Sequence, residues 1–409
     1  MFDPERWSEV MESLLRHRFR TGATALAVIW GIFALVVLLG AGKGLENMVT
    51  YEFRDDATNS IWIYRGQTSL PWKGLRVGRQ VKLTNADLEA VKALPEVDHI
   101  SGRYSLWDAV VHYGEKASTF GVRATHPDHQ VLEKTKVVSG RFLNDRDIED
   151  RRKVAVIGTQ VRDYLFGEGV DPIGQWVTVS SVAYLVVGVF DDDGGPDESK
   201  LVYIPISTAQ RAYGGGDQIH QIMFTIGDAT VAESKAIEET VTALLSDRLD
   251  FDPRDQKALR VRNNLESLSD ILSVLGYLRL FVWIVGIGTM TAGVVGTSNI
   301  LFVSVAERTR EFGLRKAIGA TPASIVSLVL VEAVTLASLA GYVGMVLGVG
   351  VVEVVRRWLP ENEYVRDPSV DLRAVLLALG AITIAGLLAG LFPARRAARI
   401  EPIVALRDE

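Results

Sequence analysis

Residue patterns that would carry out catalysis are not found in the 409 residues of the chain. There is no G-x-x-x-x-G-K-[ST] phosphate-binding loop and no G-x-S-x-G nucleophile elbow. Cysteine is absent, which excludes disulfides, thiolate metal sites and cysteine nucleophiles. His126 and His129 have a suggestive spacing, but Pro127 breaks the helix that a paired metal site needs, so we expect a solvated loop. The acidic run 191–197 departs from the EF-hand pattern and predicts a polar turn. We therefore expect no catalytic, cofactor or metal site on this chain.

One carboxylate lies inside an otherwise apolar stretch. Glu332 follows about eight residues of a predicted membrane span, which places it roughly 12 Å deep. A charge at the bilayer centre costs about 2.5–3.5 kcal/mol on insertion scales. Two interpretations remain open: a functional or interhelix polar contact, or a carboxyl that snorkels or is protonated and shielded by lipid.

A short charged segment between two apolar stretches has the composition of a partner-binding helix. It runs from Glu307 to Pro322, and its helix is predicted to end at Gly319. Phe312, Leu314 and Ile318 are its apolar residues, and we expect them to be exposed unless a cytosolic partner buries them. The alternative is a turn on the membrane surface. The residues singled out are Glu307, Arg308, Arg310, Glu311, Phe312, Gly313, Leu314, Arg315, Ile318 and Gly319.

The composition indicates membrane spans joined to an aqueous domain. Hydrophobic residues make up 48% of the chain, although 23% of residues are charged. Apolar stretches at 21–42, 281–306, 324–352 and 374–393, in which Glu332 is the one charged residue, are each long enough to cross a bilayer. The net charge of −6 gives no indication of nucleic-acid binding. We predict a membrane α-helical bundle of four transmembrane helices plus a large α+β extracytoplasmic domain of two subdomains.

The distribution of Lys and Arg predicts the orientation. These residues are about twice as dense in 1–20, 307–323 and 394–409 as in 43–280, so the first three segments are placed in the cytoplasm. The segment 43–280 and the short loop 353–373 then lie outside. Residues 1–20 are expected to form an amphipathic helix on the inner membrane surface, or else a plain extension of the first span.

The outer segment shows alternating strand and helix patterns. Strand–helix–strand units at about 55–125 and 217–262 predict one subdomain, and the stretch of about 126–216 predicts a second one inserted into it. Leucines at helical spacing precede the second span and predict a stalk helix that pairs with the outer end of the first span. Ordinary packing beneath the domain is the alternative. These leucines are Leu265, Leu268, Leu272 and Leu275.

Several motifs together resemble the MacB/FtsX-type ABC transporter permeases. The segment from Glu307 to Ala320 resembles the coupling segment of that family, and the stretch from Gly390 to Arg407 resembles its tail. Ser139–Phe142, Arg152–Gly158, Leu165–Gly167 and Asp171–Gln175 resemble its periplasmic core domain. The likeness covers nearly the whole chain.

The resemblance implies a permease that works by mechanotransmission in a bacterial inner membrane, with both termini cytoplasmic. ATP and Mg would be bound by a separate ABC ATPase subunit, because this chain begins at a membrane helix. A second permease chain, identical or not, is implied, with a periplasmic adaptor and an outer-membrane channel as further partners. Export of drugs, peptides or lipid-linked cargo is the main expectation.

Three other functions stay open. The chain could be a lipoprotein-release permease or an FtsX-like regulator of a cell-wall hydrolase that transports nothing. An outward-facing membrane enzyme is disfavoured because no catalytic constellation is found.

Overall fold

The computed structural model describes residues 18–52, 57–192, 198–358 and 366–401. Contacts divide the chain into two compact units. The membrane unit contains residues 1–49 and 273–409, and the large domain contains Thr50–Leu272. The predicted surface helix at 1–20 lies almost entirely outside the described residues, as do 402–409 of the tail.

Four helices are long and apolar enough to cross a membrane. They are α1 (Arg18–Glu52), α8 (Asn264–Glu307), α10 (Pro322–Trp358) and α11 (Leu372–Ala398). A shorter helix, α9 (Thr309–Ala317), connects α8 to α10. Each membrane-crossing helix is longer than the apolar stretch that predicted it, because helices continue through polar residues once these leave the hydrocarbon.

Within the membrane unit, α10 packs closely against its neighbours through small residues. A Cβ at Gly344 would lie 2.5 Å from the carbonyl oxygen of Ile29 on α1. Only glycine allows the two backbones to approach this closely, as at other helix interfaces in membranes. Ala333, Ala337 and Ala340 on α10 are likewise buried.

The large domain contains twelve described strands, six described α-helices and one short 3-10 helix (Glu198–Lys200) between α1 and α8. The strands are β1 (Ser60–Arg65), β2 (Leu83–Thr84), β3 (Ile100–Tyr113), β4 (Lys116–Thr125), β5 (Lys136–Gly140), β6 (Val154–Gly158), β7 (Trp176–Val179), β8 (Val182–Asp191), β9 (Leu201–Pro205), β10 (Gln218–Ile219), β11 (Gln221–Thr225) and β12 (Leu259–Asn263). The helices are α2 (Asn85–Lys92), α3 (His129–Leu132), α4 (Asp145–Glu149), α5 (Thr159–Leu165), α6 (Ile206–Ala212) and α7 (Val231–Leu249).

A single ten-stranded sheet forms the centre of this domain. Its order is β12-β1-β11-β3-β4-β9-β6-β8-β5, and β7 bridges β3 and β8. Strands of both predicted subdomains lie in this sheet, because β4 and β9 pair in parallel across the proposed boundary. One apolar core contains Ile61 and Phe224 from one side of that boundary together with Ile157 and Val186 from the other. The strand pattern alone could not show that the inserted strands extend the same sheet.

Candidate functional site

The charged segment after the second span folds as α9. Only Arg308 separates it from α8. The helix ends in a glycine cap: Ala320 N–H donates to the Arg315 carbonyl (2.9 Å), Gly319 N–H donates to the Lys316 carbonyl (3.1 Å), and Gly319 has φ +105°. These two bonds satisfy carbonyls that the helix end would leave unpaired. The predicted end of the helix at Gly319 follows from the freedom of glycine to adopt positive φ.

The expectation that Phe312 is exposed for a partner is wrong. Its side chain is 1% exposed and packs among Val305, Ile325, Val329 and Ala394 of the same chain. The neighbouring Gly313 is also buried. One turn of α9 therefore belongs to the core at one end of α10 and α11, where the Phe312 ring fills the space between these two helices.

The intramembrane carboxylate of Glu332 has a partner at the start of α9. Its Oε2 lies 3.6 Å from a terminal nitrogen of Arg308, and both side chains are largely buried. The same guanidinium binds Glu311 at 2.8 and 2.9 Å and lies over the Phe312 ring. Glu311 also pairs with Arg315 at 2.9 Å. This network favours the interhelix contact over a snorkelling carboxyl for Glu332.

A second connection joins α9 to the end of α11. The Lys316 ammonium donates to the carbonyl oxygens of Ala398 (2.9 Å) and Ile400 (2.8 Å). These oxygens belong to the last turn and the residues just beyond it, where helix carbonyls lack partners and a positive charge is favourable. No local pattern indicates this role, because Lys316 is one of several cations in a charged run.

The opposite side of α9 is exposed. Leu314 is 51% exposed and Ile318 is 78% exposed, and Arg310 and Ala317 are exposed beside them. Positions i, i+4, i+7 and i+8 fall on one side of a helix. We call Arg310, Leu314, Ala317 and Ile318 the α9 stripe. Glu307 is exposed just before it.

The predicted stalk leucines all lie on α8, on both sides of the division between the units. Leu265 packs against the core of the large domain, and Leu272 is exposed. In the membrane unit, Leu275 lines a cavity between α1, α8 and α11, and Arg279 pairs there with Glu46 of α1. Side-by-side pairing of all four leucines in a seam stays a prediction.

Sequence reasoning missed a buried polar cluster in the large domain. Glu133 accepts hydrogen bonds from Arg103, from Arg123 (3.1 Å) and from the Tyr203 hydroxyl (2.8 Å). Its Oε2 also lies 2.9 Å from Nε2 of His129. The expected solvated loop is therefore wrong for His129, which is fully buried. Strand pairing brings these residues together from separate parts of the chain, so no local motif reveals them.

Electrostatics in this cluster favour an ionised carboxylate. Burial opposes the charge on Glu133, but the cations around it hold its pKa well below the ordinary value. Burial lowers the pKa of His129 and lowers that of His126 to about 4. Within the described part of the chain, no group of three His, Asp or Glu side chains is arranged to hold a metal ion. The cluster is arranged as a structural charge network.

Comparisons with known proteins match both halves of the chain. Residues 21–243 match the MacB-like periplasmic core domain, and residues 283–402 match the FtsX-like permease C-terminal domain. The protein from Chlorobaculum tepidum named macrolide export ATP-binding/permease protein MacB is 28% identical over 100% of this chain and 63% of its own length. The pyoverdine export ATP-binding/permease protein PvdT of Pseudomonas savastanoi pv. phaseolicola is 31% identical over 96% of this chain and 58% of its own length.

The chain thus spans about six-tenths of the length of the curated relatives that it matches. Among solved structures, the periplasmic region of MacB from Actinobacillus actinomycetemcomitans aligns with a TM-score of 0.45 at 21% identity, over 56% of this chain and 98% of that one. The two domain matches together cover most of the sequence. The chain belongs to the family of ABC transporter permeases that combine a MacB-like periplasmic core domain with an FtsX-like permease domain.

Proposed function

We propose that this chain is the permease subunit of an ABC exporter in a bacterial inner membrane, driven by an ATPase on a separate polypeptide. Family membership supports the permease assignment. Two relatives are named for macrolide export and pyoverdine export, which favours export of drugs, peptides or lipid-linked cargo. The 409 residues contain no phosphate-binding loop, and in this proposal ATP and Mg are bound by an ATPase partner.

The observation that carries the proposal is the α9 stripe. Leu314 and Ile318 expose apolar surface at one end of a membrane unit, beside Arg310. Helix-in-groove recognition uses anchors at this i, i+4 spacing, with charges at the rim. The stripe has the form of a docking surface for a cytosolic ATPase.

The packing of α9 supports mechanotransmission. Force applied to the stripe is passed to α10 through Phe312 and the Arg308–Glu332 pair, and to α11 through Lys316. Closely packed cores shift as units rather than deform gradually. Movement of a bound ATPase would therefore move the ends of two membrane helices together. In this proposal the termini and α9 are cytoplasmic and the large domain is periplasmic.

Further partners belong to the same proposal. A second permease chain would complete the membrane unit. A periplasmic adaptor and an outer-membrane channel would carry cargo onward from the large domain.

The experiment is affinity purification of the tagged full-length chain from native membranes, followed by measurement of vanadate-sensitive ATP hydrolysis per permease. We expect hydrolysis in the wild-type preparation and its loss in a Leu314→Asp/Ile318→Asp variant. The matched control is Ala232→Asp/Ala236→Asp, which places the same two charges on exposed positions of α7 in the large domain, also four residues apart. An unaffected ATPase yield in the stripe variant would contradict docking at α9. ATP hydrolysis by the chain freed of every other protein would contradict a separate ATPase.

Orientation is tested by labelling intact spheroplasts with an impermeant thiol reagent. The chain has no native cysteine, so introduced ones report alone. Asp145→Cys in the large domain should react and Arg310→Cys on the stripe should not, although both positions are exposed in the structure. The reverse pattern would overturn the topology.

A further inference from the structure

One edge of the large domain's sheet has no partner strand among the described residues. β12 pairs with β1 over five consecutive residue pairs, from Ile61–Asn263 to Arg65–Leu259, without a register shift. The Gly66 N–H donates to the Ala258 carbonyl (3.0 Å), whereas the Arg65 N–H donates away from β12, to His220 (3.3 Å). Hydrogen bonding in an antiparallel ladder alternates along each strand. The backbone groups of Leu259 and Val261 therefore point outward from the edge.

A groove follows this edge. Cavities of about 630 and 460 Å³ lie side by side along β12 and share Glu238, Arg260 and Val261. One wall is α7, contributed by Glu238, Glu239 and Thr242, and the floor near one end is the Pro253–Gln256 turn. The other end is the first two turns of α8, at Glu266 and Asp270. We call this feature the β12 groove.

The groove is acidic along its length. Its carboxylates are Glu238, Glu239, Asp255, Glu266 and Asp270. Lys235 lies 3.6 Å from Glu266. The two arginines of β12 also line the groove, but each guanidinium lies over an aromatic ring: Arg260 over Tyr64 at 4.7 Å and Arg262 over Trp62 at 5.6 Å. These rings are on β1, so both cations are held against the neighbouring strand.

The opposite edge of the sheet is built differently. β5 carries a register shift between Val137 and Ser139 and ends in Gly140 at φ +76°. Bulges and glycines of this kind disrupt an edge and prevent addition of another strand. β12 has neither feature, so only one of the two edges is suited to strand addition.

We propose that the β12 groove binds an extended, lysine- or arginine-rich segment of another protein, which adds to β12 as an antiparallel or parallel strand. Main-chain bonds to Leu259 and Val261 would give affinity, and the carboxylates would select basic side chains. A second copy of this chain is a poor occupant, because symmetric pairing of two β12 edges would bring the same carboxylates face to face. The proposal does not depend on the ATPase.

The occupied edge would be connected directly to the membrane unit. β12 ends at Asn263 and α8 begins at Asn264, with no residue between them. The Asn263 side chain donates to Ser234 (3.0 Å) and Glu238 (3.3 Å) of α7 and accepts from the Glu266 N–H (3.2 Å). A strand bound in the groove thus acts on residues that fix the start of a helix that continues into the membrane.

The test uses the full-length chain in nanodiscs and a fluorescent heptapeptide of alternating lysine and valine, with a glutamate–valine heptapeptide as the matched probe. We expect fluorescence anisotropy to show at least about tenfold tighter binding of the lysine peptide, weakening as salt rises. Bound lysine peptide should slow hydrogen exchange at the amides of Leu259 and Val261. Failure of the lysine peptide to bind would overturn the proposal.

Two variants localise the binding. Val261→Pro removes a backbone N–H that points outward and is not used in the ladder to β1, so proline is tolerated at this edge position. This variant should abolish peptide binding. Val138→Pro on the exposed face of β5 is the control and should leave binding unchanged. If Val261→Pro fails to fold, Glu238→Gln/Asp270→Asn should still reduce binding about tenfold, while Glu115→Gln in the β3–β4 hairpin should not. Equal binding by all variants, or a change of oligomeric state in Val261→Pro, would show that the groove is not a peptide site.

Discussion

The Glu332 carboxylate, inside the third apolar helix, lies 3.6 Å from the Arg308 guanidinium, at the junction between the second apolar helix and α9. Arg308 also holds Glu311, so one side chain joins α9 to α10. Removing one member of a buried pair leaves the other charge uncompensated and commonly costs about 3–5 kcal/mol. The ion pair with Arg308, rather than contact with solvent, therefore explains the position of Glu332 inside an apolar helix.

The first prediction is a double-mutant cycle on this pair. Glu332→Gln and Arg308→Gln should each lower the free energy of unfolding, and the double variant should lose less than their sum, with a coupling of about 1–3 kcal/mol. Thermal unfolding in detergent measures this. The control cycle is Glu353 with Arg357, an exposed i, i+4 pair at 2.8 Å, where coupling should stay below about 0.5 kcal/mol. Strict additivity at Glu332 and Arg308 would mean that the pair carries no interaction energy.

The second prediction concerns the cap that Lys316 places on α11. Lys316→Met keeps the aliphatic stem and removes both hydrogen bonds to Ala398 and Ile400, so the last turn of α11 should fray. Faster hydrogen exchange at amides 396–400, measured by mass spectrometry, is the expected result, with a loss of about 1–2 kcal/mol in unfolding free energy. Arg310→Met, on the exposed stripe, should change neither quantity. Unchanged exchange in the Lys316 variant would show that the cap contributes nothing.

The third prediction separates the core of α9 from its exposed stripe. Phe312→Ala should lower the free energy of unfolding by about 3–5 kcal/mol, because it leaves a cavity between α10 and α11. Leu314→Ala should change stability by well under 1 kcal/mol, yet weaken ATPase association by about 1–2 kcal/mol. Detergent unfolding and copurified ATPase per permease measure the two effects. A stable Phe312→Ala protein that has lost its ATPase would restore Phe312 as the docking residue.

The sequence was sufficient for features with a long or regular pattern. Apolar stretches located the four membrane-crossing helices, and Gly319 marked the end of α9. Exposure on a nine-residue helix was not predictable, because Phe312 and Leu314 are both apolar and only the packing of α10 and α11 decides which one is buried. Lys316 and Glu133 illustrate the same limit, because their partners are distant in sequence and are brought close only by the tertiary structure. The partners of Lys316 are at least 82 residues away, and the most distant partner of Glu133 is 70 residues away.

The fourth prediction is a loss of stability of the large domain under mild acid. Burial lowers the pKa of His126 from 6.5 to about 4, so the unfolded chain takes up a proton at this site before the folded chain does. Stability from His126 is therefore fully present above pH 6.5 and is lost as pH falls toward 4, by up to about 3 kcal/mol. Glu133 acts in the same direction at lower pH, because its pKa is also depressed and its ion pairs disappear on protonation.

The measurement is the unfolding temperature of the full chain between pH 7.5 and 4.5, followed by circular dichroism, with His126→Asn as the test variant. Asparagine retains an acceptor for the Gly102 N–H, which donates to Nδ1 of His126 at 3.0 Å, but cannot titrate. The variant should show a shallower fall of unfolding temperature with acid than the wild type. His112→Asn, at a partly exposed histidine of β3, should retain the wild-type slope. Identical slopes in all three proteins would show that protonation of His126 does not contribute to the acid sensitivity of the large domain.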